Sequence, residues 1–222
     1  MRIRATRMRP LSGIAVAAAL LGAAEARDVA EAKHLSVATA SLPSPGTYAL
    51  DPPHTVIYFA AQHKIVGKVR GRFDKMIGKL VVAKDPAACS VEVSIEAASI
   101  DTQNGVRDGD LRGPDFFDAT GFPTITFRGK GIRKSGDGWV VDGALTIRDV
   151  TKPVPLAFKF SGTAAAEAGK AARVGFHATA AVKRADFGMR RELLAEIGLE
   201  SAAPDVWIEI DSEALEVAAP AK

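Results

Sequence analysis

The chain has 222 residues and one cysteine, Cys89, so no disulfide can form within it and no C-x-x-C metal or redox motif exists. Other catalytic signatures are missing too. There is no G-x-S-x-G, S-x-x-K, H-E-x-x-H or G-x-x-x-x-G-K-[ST]. Gly129-Lys130-Gly131 and Gly136-Asp137-Gly138 lack the spacing of a dinucleotide loop and fall where hairpin turns are expected. No apolar run reaches the roughly 20 residues that a transmembrane helix requires. A basic surface is also lacking. The formal charge is +3, but Arg2, Arg4, Arg7 and Arg9 crowd the first ten residues, opposed before residue 27 only by Glu25. Without residues 1–26 the basic count falls from 29 to 25 and the acidic count from 26 to 25, which leaves a neutral chain. Nucleic acid is therefore not an expected partner.

The N-terminus has the order of a secretory signal: an arginine-rich start, the uncharged run Leu11–Ala24, then Ala24-Glu25-Ala26 with small residues where a signal peptidase reads. Ala30-Glu31-Ala32 is a second candidate cleavage site. Retention of the run as a membrane anchor is the weaker reading. The expected division is a signal peptide over 1–26, a mobile leader over 27–45, a folded domain over 46–216 and a short tail over 217–222, with the mature protein in the periplasm.

From Gly46 onward, period-two alternation dominates. Ser90–Ala97 is the cleanest case: Val91, Val93, Ile95 and Ala97 share one face, and Ser90, Glu92, Ser94 and Glu96 the other. Similar patterns predict strands over Gly46–Leu50, Thr55–His63, Phe73–Val82, Thr124–Phe127, Val140–Ile147, Val154–Phe160, Val174–Val182 and Val206–Ser212. The fold class is all-β, an antiparallel sandwich or closed barrel of about eight strands. Two segments break the alternation. Arg107–Ala119 suits one or two helical turns interrupted by Pro114, and Ala185–Glu196 suits another.

Polar chemistry is thin. His54 and His63 flank one strand at an odd separation, which puts them on opposite faces and argues against a shared metal; no metal or other cofactor is expected. His63 ends the row Ile57, Phe59, Ala61 and is a candidate polar contact into a pocket, while His177 alternates away from Phe176 toward solvent. Asp101, Arg107, Asp108, Asp110, Arg112, Asp115 and Asp118 form the densest polar cluster. It is read as helix caps and rim ties in preference to a carboxylate pair for acid–base work. Cys89 opens an alternating run and reads as a small, semi-buried side chain; a nucleophile or a bridge to a second copy is the alternative.

What remains is an apolar interior. Small residues on the inward faces, Ala61, Ala97, Gly143, Ala178 and Ala180, leave volume unfilled and favour a cavity over a solid core.

Several segments then carry a resemblance. Ser99-Ile100-Asp101-Thr102, Arg107-Asp108, Leu111, Asp115-Phe116-Phe117-Asp118-Ala119 and Phe122–Phe127 form one block. Gly143–Ile147 with Val150-Thr151-Lys152-Pro153-Val154, and Arg184 with Asp186-Phe187-Gly188-Met189, form others. Together with Tyr48, Asp51, His54, Phe59 and His63 they resemble the YceI-like family of periplasmic lipid-binding proteins, over about residues 46–214. The resemblance implies a lipocalin-like antiparallel barrel that binds, transports or stores a long isoprenoid lipid, a prenyl phosphate or quinone-like molecule, without catalysis. The candidate ligand-binding residues are Ile57, Phe59, Ala61, His63, Phe73, Val93, Ile95, Phe116, Phe117, Phe127, Leu145, Phe158, Phe176 and Phe187. A homodimer and a membrane b-type cytochrome are further candidate partners. A lipid-modifying enzyme with His63 or an aspartate near Asp108 as base, and a solid interaction module, are the competing readings. Gly105 and Gly109 depart from the family pattern and are expected to loosen a lid formed by the helical segment.

Overall fold

The computed structural model describes residues 42–63, 67–189 and 206–218; the proposed signal peptide and nearly all of the proposed leader lie outside these. Eleven strand segments are β1 (Gly46–Leu50), β2 (Val56–His63), β3 (Gly67–Phe73), β4 (Met76–Val82), β5 (Ser90–Glu96), β6 (Ile100–Asp101), β7 (Thr124–Ser135), β8 (Gly138–Ile147), β9 (Val150–Ala164), β10 (Arg173–Val182) and β11 (Val206–Glu216). They make only eight staves. β2 continues β1, β4 continues β3 and β6 continues β5, because each stave's two parts pair with the two parts of the next: β1 with β4, β2 with β3, β4 with β5 and β3 with β6. β11 pairs with β10, and its two ends pair with β2 and β1, which closes an antiparallel up-and-down barrel. Closure removes every long free edge.

The staves break for local reasons. Pro52 and Pro53 supply no backbone donor, so the first stave turns through Pro52–His54 before it resumes. The breaks at 74–75 and 97–99 lie side by side and share hydrogen bonds, from Asp74 N to Ser99 O at 3.2 Å and from Glu96 N to Lys75 O at 3.0 Å. This pairing explains why the sequence-predicted strand Phe73–Val82 is in fact the end of one segment and the whole of the next. Gly67–Arg72 carries Lys68, Arg70 and Arg72 on its outer face and glycine at two inward positions, so it lacks the apolar alternation of a recognisable strand. Register shifts in β7 between Gly129 and Ile132, and in β10 between Gly175 and Phe176, add the bends that a small barrel needs.

Among the described residues one α-helix, α1 (Gly105–Arg112), caps the end at which β2, β6, β8 and β10 finish, here called the upper end. It begins two residues earlier than the sequence pattern predicts, because the Asn104 side chain accepts from Arg107 N and sets the N-cap. The second expected helix is a short 3-10 turn, Arg184–Phe187, ended by Gly188 in the left-handed region (φ 67°); residues 190–196 of that expectation lie outside the described part. No helix among the described residues is long and apolar enough to cross a membrane.

Inward faces of the staves form one large cluster around Ile57, Phe73, Ile95, Phe127, Leu145 and Phe187, and a smaller one around Tyr48, Leu50, Val82, Val174 and Ala214 at the lower end. Burying aliphatic and aromatic side chains of this size contributes roughly 1.5 to 3 kcal/mol each. With no disulfide available, this burial holds the barrel.

Candidate ligand-binding cavity

The barrel interior is not filled. An apolar cavity of about 180 Å³ occupies the upper half and one of about 70 Å³ the lower half. Leu80, Val91, Leu156 and Phe176 line both, so the two spaces adjoin through one shared ring of side chains. The upper space runs to the closing elements at the mouth, where Leu111 of α1, Phe116, Phe117, Phe187 and Met189 meet it. The lower space ends against Leu42, Val82, Cys89 and Val174.

Of the sequence-predicted ligand-binding residues, Ile57, Phe59, Ala61, Phe73, Val93, Ile95, Phe116, Phe117, Phe127, Leu145, Phe176 and Phe187 line the upper cavity. Phe158 lies with Phe160 on the lower one. His63 is a correction. It shares the parity of Phe59 and Ala61 but stands at the exposed end of β2, beyond the cavity wall, and lines neither space. Two of the small residues also do other work than leave volume. Gly143 accommodates the ring of Phe127, and Ala97 is buried in a turn outside the cavity lining.

Aromatic packing links wall to lid. The Phe59 and Phe73 rings lie 5.8 Å apart, and Phe73 meets Phe117 edge-on at 5.6 Å. Opposite Phe59 the partner position is Gly71, where an added Cβ would stand 2.5 Å from Phe59 Cζ. The wall therefore needs glycine there for the ring to lie flat against the backbone.

The polar cluster around α1 is a latch. Asp108, 6% exposed, accepts from Thr102 N at 2.9 Å and from Thr102 Oγ1 at 2.5 Å. Arg107 donates to Thr102 Oγ1 and Thr102 O, and Arg112 to the carbonyls of Ala98 and Ile100. These bonds tie the helix to the end of the third stave and hold Leu111 over the cavity. Gly105 and Gly109 face open space.

A second polar network sits outside the wall where the first stave breaks. Arg173 donates to Asp51 Oδ2 at 2.6 Å and to Glu213, and His54 Nδ1 lies 2.8 Å from the same Asp51 oxygen. Burial works to raise the Asp51 carboxyl, but the hydrogen bonds from His54 and Arg173 outweigh it and hold the group below the ordinary carboxylate range. The hydrogen bond that Arg173 donates to Glu213 raises the guanidinium in turn. Asp51, His54 and Glu213 are close enough to share a metal ion, as are His177, Glu209 and Asp211 on the outer face of β10 and β11. In the first group the guanidinium of Arg173 already supplies the positive charge. His177 is half-exposed and pairs with Asp211 at 2.8 Å.

Sequence reasoning missed several cavity residues. Ile100, in the two-residue β6, and Met189, just after the Arg184–Phe187 turn, lie in segments too short to show a period, and Thr55 and Ser212 are polar residues on an apolar face. Arg184 also reaches the upper cavity and donates to Gln62 O at 3.2 Å. Cys89 is buried against Ala83, whose N–H points to its sulfur at 3.3 Å, so no surface thiol is offered to a second copy.

Comparison with known proteins agrees with this architecture. Residues 48–214 match the model of the YceI-like domain. The chain is 37% identical over 141 residues to a UPF0312 protein of Yersinia pestis and 36% identical over 141 residues to Protein YceI of Shigella flexneri; each match covers 63% of this chain and 73% of the relative. The crystal structure of the Campylobacter jejuni YCEI protein is 30% identical with a TM-score of 0.56, over 71% of this chain and 90% of that one. A polyisoprenoid binding domain from Saccharophagus degradans shares the fold at 17% identity, with a TM-score of 0.57 over 77% of this chain and 98% of that one. A closed eight-stave barrel, a latched helix over an apolar interior and a family match across three quarters of the sequence lead to one assignment: the chain belongs to the YceI-like family.

Proposed function

We propose that this protein binds a long-chain isoprenoid lipid, of the prenyl phosphate or quinone-like kind, in its barrel and carries or stores it in the periplasm without altering it. The observation that carries the reading is the pair of adjoining apolar cavities, which follow the barrel from the helical lid to the lower end. Apolar spaces that adjoin along the barrel suit a flexible hydrocarbon chain. Each buried CH₂ of such a chain contributes about 0.8 kcal/mol, so uptake needs no charged machinery. The Saccharophagus degradans protein that shares this fold is a polyisoprenoid binding domain.

A catalytic role finds little support in the groups first considered for it. Asp108 accepts two hydrogen bonds from Thr102 in a structural latch, and His63 stands on the exposed rim, away from the cavity lining. Export rests on the N-terminal sequence pattern alone.

Native mass spectrometry of the protein purified without detergent from a cell envelope fraction tests the proposal. The expected result is a bound mass that extracts into organic solvent and fragments at isoprene intervals. Failure to take up any polyprenyl compound, either from cells or from added vesicles, would overturn it.

A further inference from the structure

The outer face of β3, β2 and β11 divides by charge along the barrel axis. The cross-strand registers set Lys68 in the outward row nearest the mouth, Arg70 and Trp207 in the next, Glu209 in the third and Asp211 in the fourth. Lys68 and Arg70 are exposed, and neither has a carboxylate partner among the described residues. Arg72, level with Glu209, is already paired with Asp74 and Asp101. Asp211 stands four residues of strand below Trp207, about 13 Å. That exceeds the roughly 8 Å over which exposed charges act in physiological salt. The rim is thus basic where the lower wall is acidic.

Trp207 is one of two tryptophans in the chain, and it stands on the wet face of its strand. Its cross-strand neighbours are Ala60 and Ala181, too small to cover the ring, which leaves the residue 39% exposed. Lys68 Nζ lies 4.0 Å from the ring centroid. An indole beside long basic side chains suits the edge of a bilayer, where the ring sits at headgroup level and the ammonium reaches the phosphates. Val106 of α1, 80% exposed, adds an apolar side chain at the same end. Asp110 and Asp186 are exposed acids of α1 and of the turn after β10, so the suited surface is the β3–β2–β11 side of the rim and not the whole mouth. A hydrocarbon chain crossing water between bilayer and barrel would expose every CH₂, a cost that contact between rim and bilayer removes.

We infer that Trp207, Lys68 and Arg70 dock the mouth of the barrel on an anionic phospholipid surface, with the indole at headgroup level and the two cations on phosphates. The inference rests on the reading of the barrel as a lipid site and names the surface with which that site exchanges its ligand.

The test floats the protein with vesicles of phosphatidylcholine alone or mixed with phosphatidylglycerol. Wild type is expected to partition onto the mixed vesicles, less so as salt rises. Lys68→Gln/Arg70→Gln should lower that partitioning about thirtyfold, since each basic residue near an anionic surface contributes about fivefold. Lys79→Gln/Lys130→Gln removes the same charge from exposed positions on the lower halves of β4 and β7 and should change nothing. The N-terminal arginines are common to all variants and cancel in the comparison. Phosphatidylglycerol brominated near the glycerol should quench wild-type emission and not that of Trp207→Phe, because Trp139 is buried. No partitioning by wild type, equal partitioning by Lys68→Gln/Arg70→Gln, an equal loss in Lys79→Gln/Lys130→Gln, or an unquenched Trp207 overturns the docking face. Uptake of a polyprenyl lipid is read separately by native mass spectrometry: Lys68→Gln/Arg70→Gln should fill normally from ethanol solution and slowly from vesicles. Wild type that docks but fills from neither source keeps the docking face and overturns the lipid reading; wild type that fills from ethanol but never docks does the reverse.

Discussion

Gly143 and Phe127 share one volume on neighbouring strands: a Cβ added to Gly143 would stand 2.2 Å from Phe127 Cζ and 2.6 Å from Cε2. The ring fills the space that the glycine leaves, and Phe127 in turn forms part of the cavity wall. Gly143→Ala must push a rigid ring toward the cavity or spread β7 from β8. The expected cost is about 1 to 3 kcal/mol, read as a lower urea midpoint with an unchanged slope.

The latch on α1 predicts a different pattern. Removing the carboxylate in Asp108→Ala leaves Thr102 N without its acceptor in a buried turn, at a cost of about 1 to 3 kcal/mol. Because the helix lies over the mouth, backbone amides of 105–112 should exchange with deuterium much faster in the variant, while those of β8 and β9 keep their protection. Uniform loss of protection throughout the barrel would mean that the helix is integral to the fold and does not act as a separately held lid.

Acid should separate the wild type from Asp51→Asn. The Asp51 carboxyl is held below its ordinary value in the folded protein, so its ionised form favours folding. That contribution is full above the unfolded value of about 3.9 and is lost as pH falls through the lower folded value. Asp51→Asn is therefore expected to be less stable than wild type at pH 5 to 7, with the gap closing below about pH 4. Urea midpoints measured at intervals across this range check it. A gap that widens in acid would show that Asp51 is not the ionised partner of Arg173.

The barrel was readable where one side of a strand is wet. Val91, Val93 and Ile95 alternate with Glu92 and Ser94, and the chain obeys that alternation. It was less readable in Gly67–Phe73, where inward Gly71 gives way to the Phe59 ring, and in the polar ends of β7 and β9, which run into exposed hairpins. The cavity's apolar wall followed from the same alternation. Its few polar features did not, because Thr55 and Ser212 meet only through the closure of β11 on the first stave, 157 residues apart in sequence. Parity alone also misled at His63, since a strand's face says nothing about where the barrel ends.

Ala61 offers the sharpest separation between a ligand cavity and a merely loose core. It lies on β2 opposite Val206 and Val69, two residues from the end of the strand, and its methyl group borders the upper cavity near the mouth. In a close-packed interior, replacing Ala61 with tryptophan would overpack the site at about 1 to 3 kcal/mol. Here the indole has space to enter, so stability without ligand should change by less than about 1 kcal/mol, while uptake of a polyprenyl lipid falls sharply. Ala60→Trp is the matched control, since its side chain belongs to the opposite face of the same strand, beside Trp207. It should leave lipid uptake intact. If both variants bind lipid equally well, the chain does not pass Ala61 and the ligand must lie elsewhere; if Ala61→Trp unfolds the barrel, the cavity is closed in solution at this point and cannot admit a chain there.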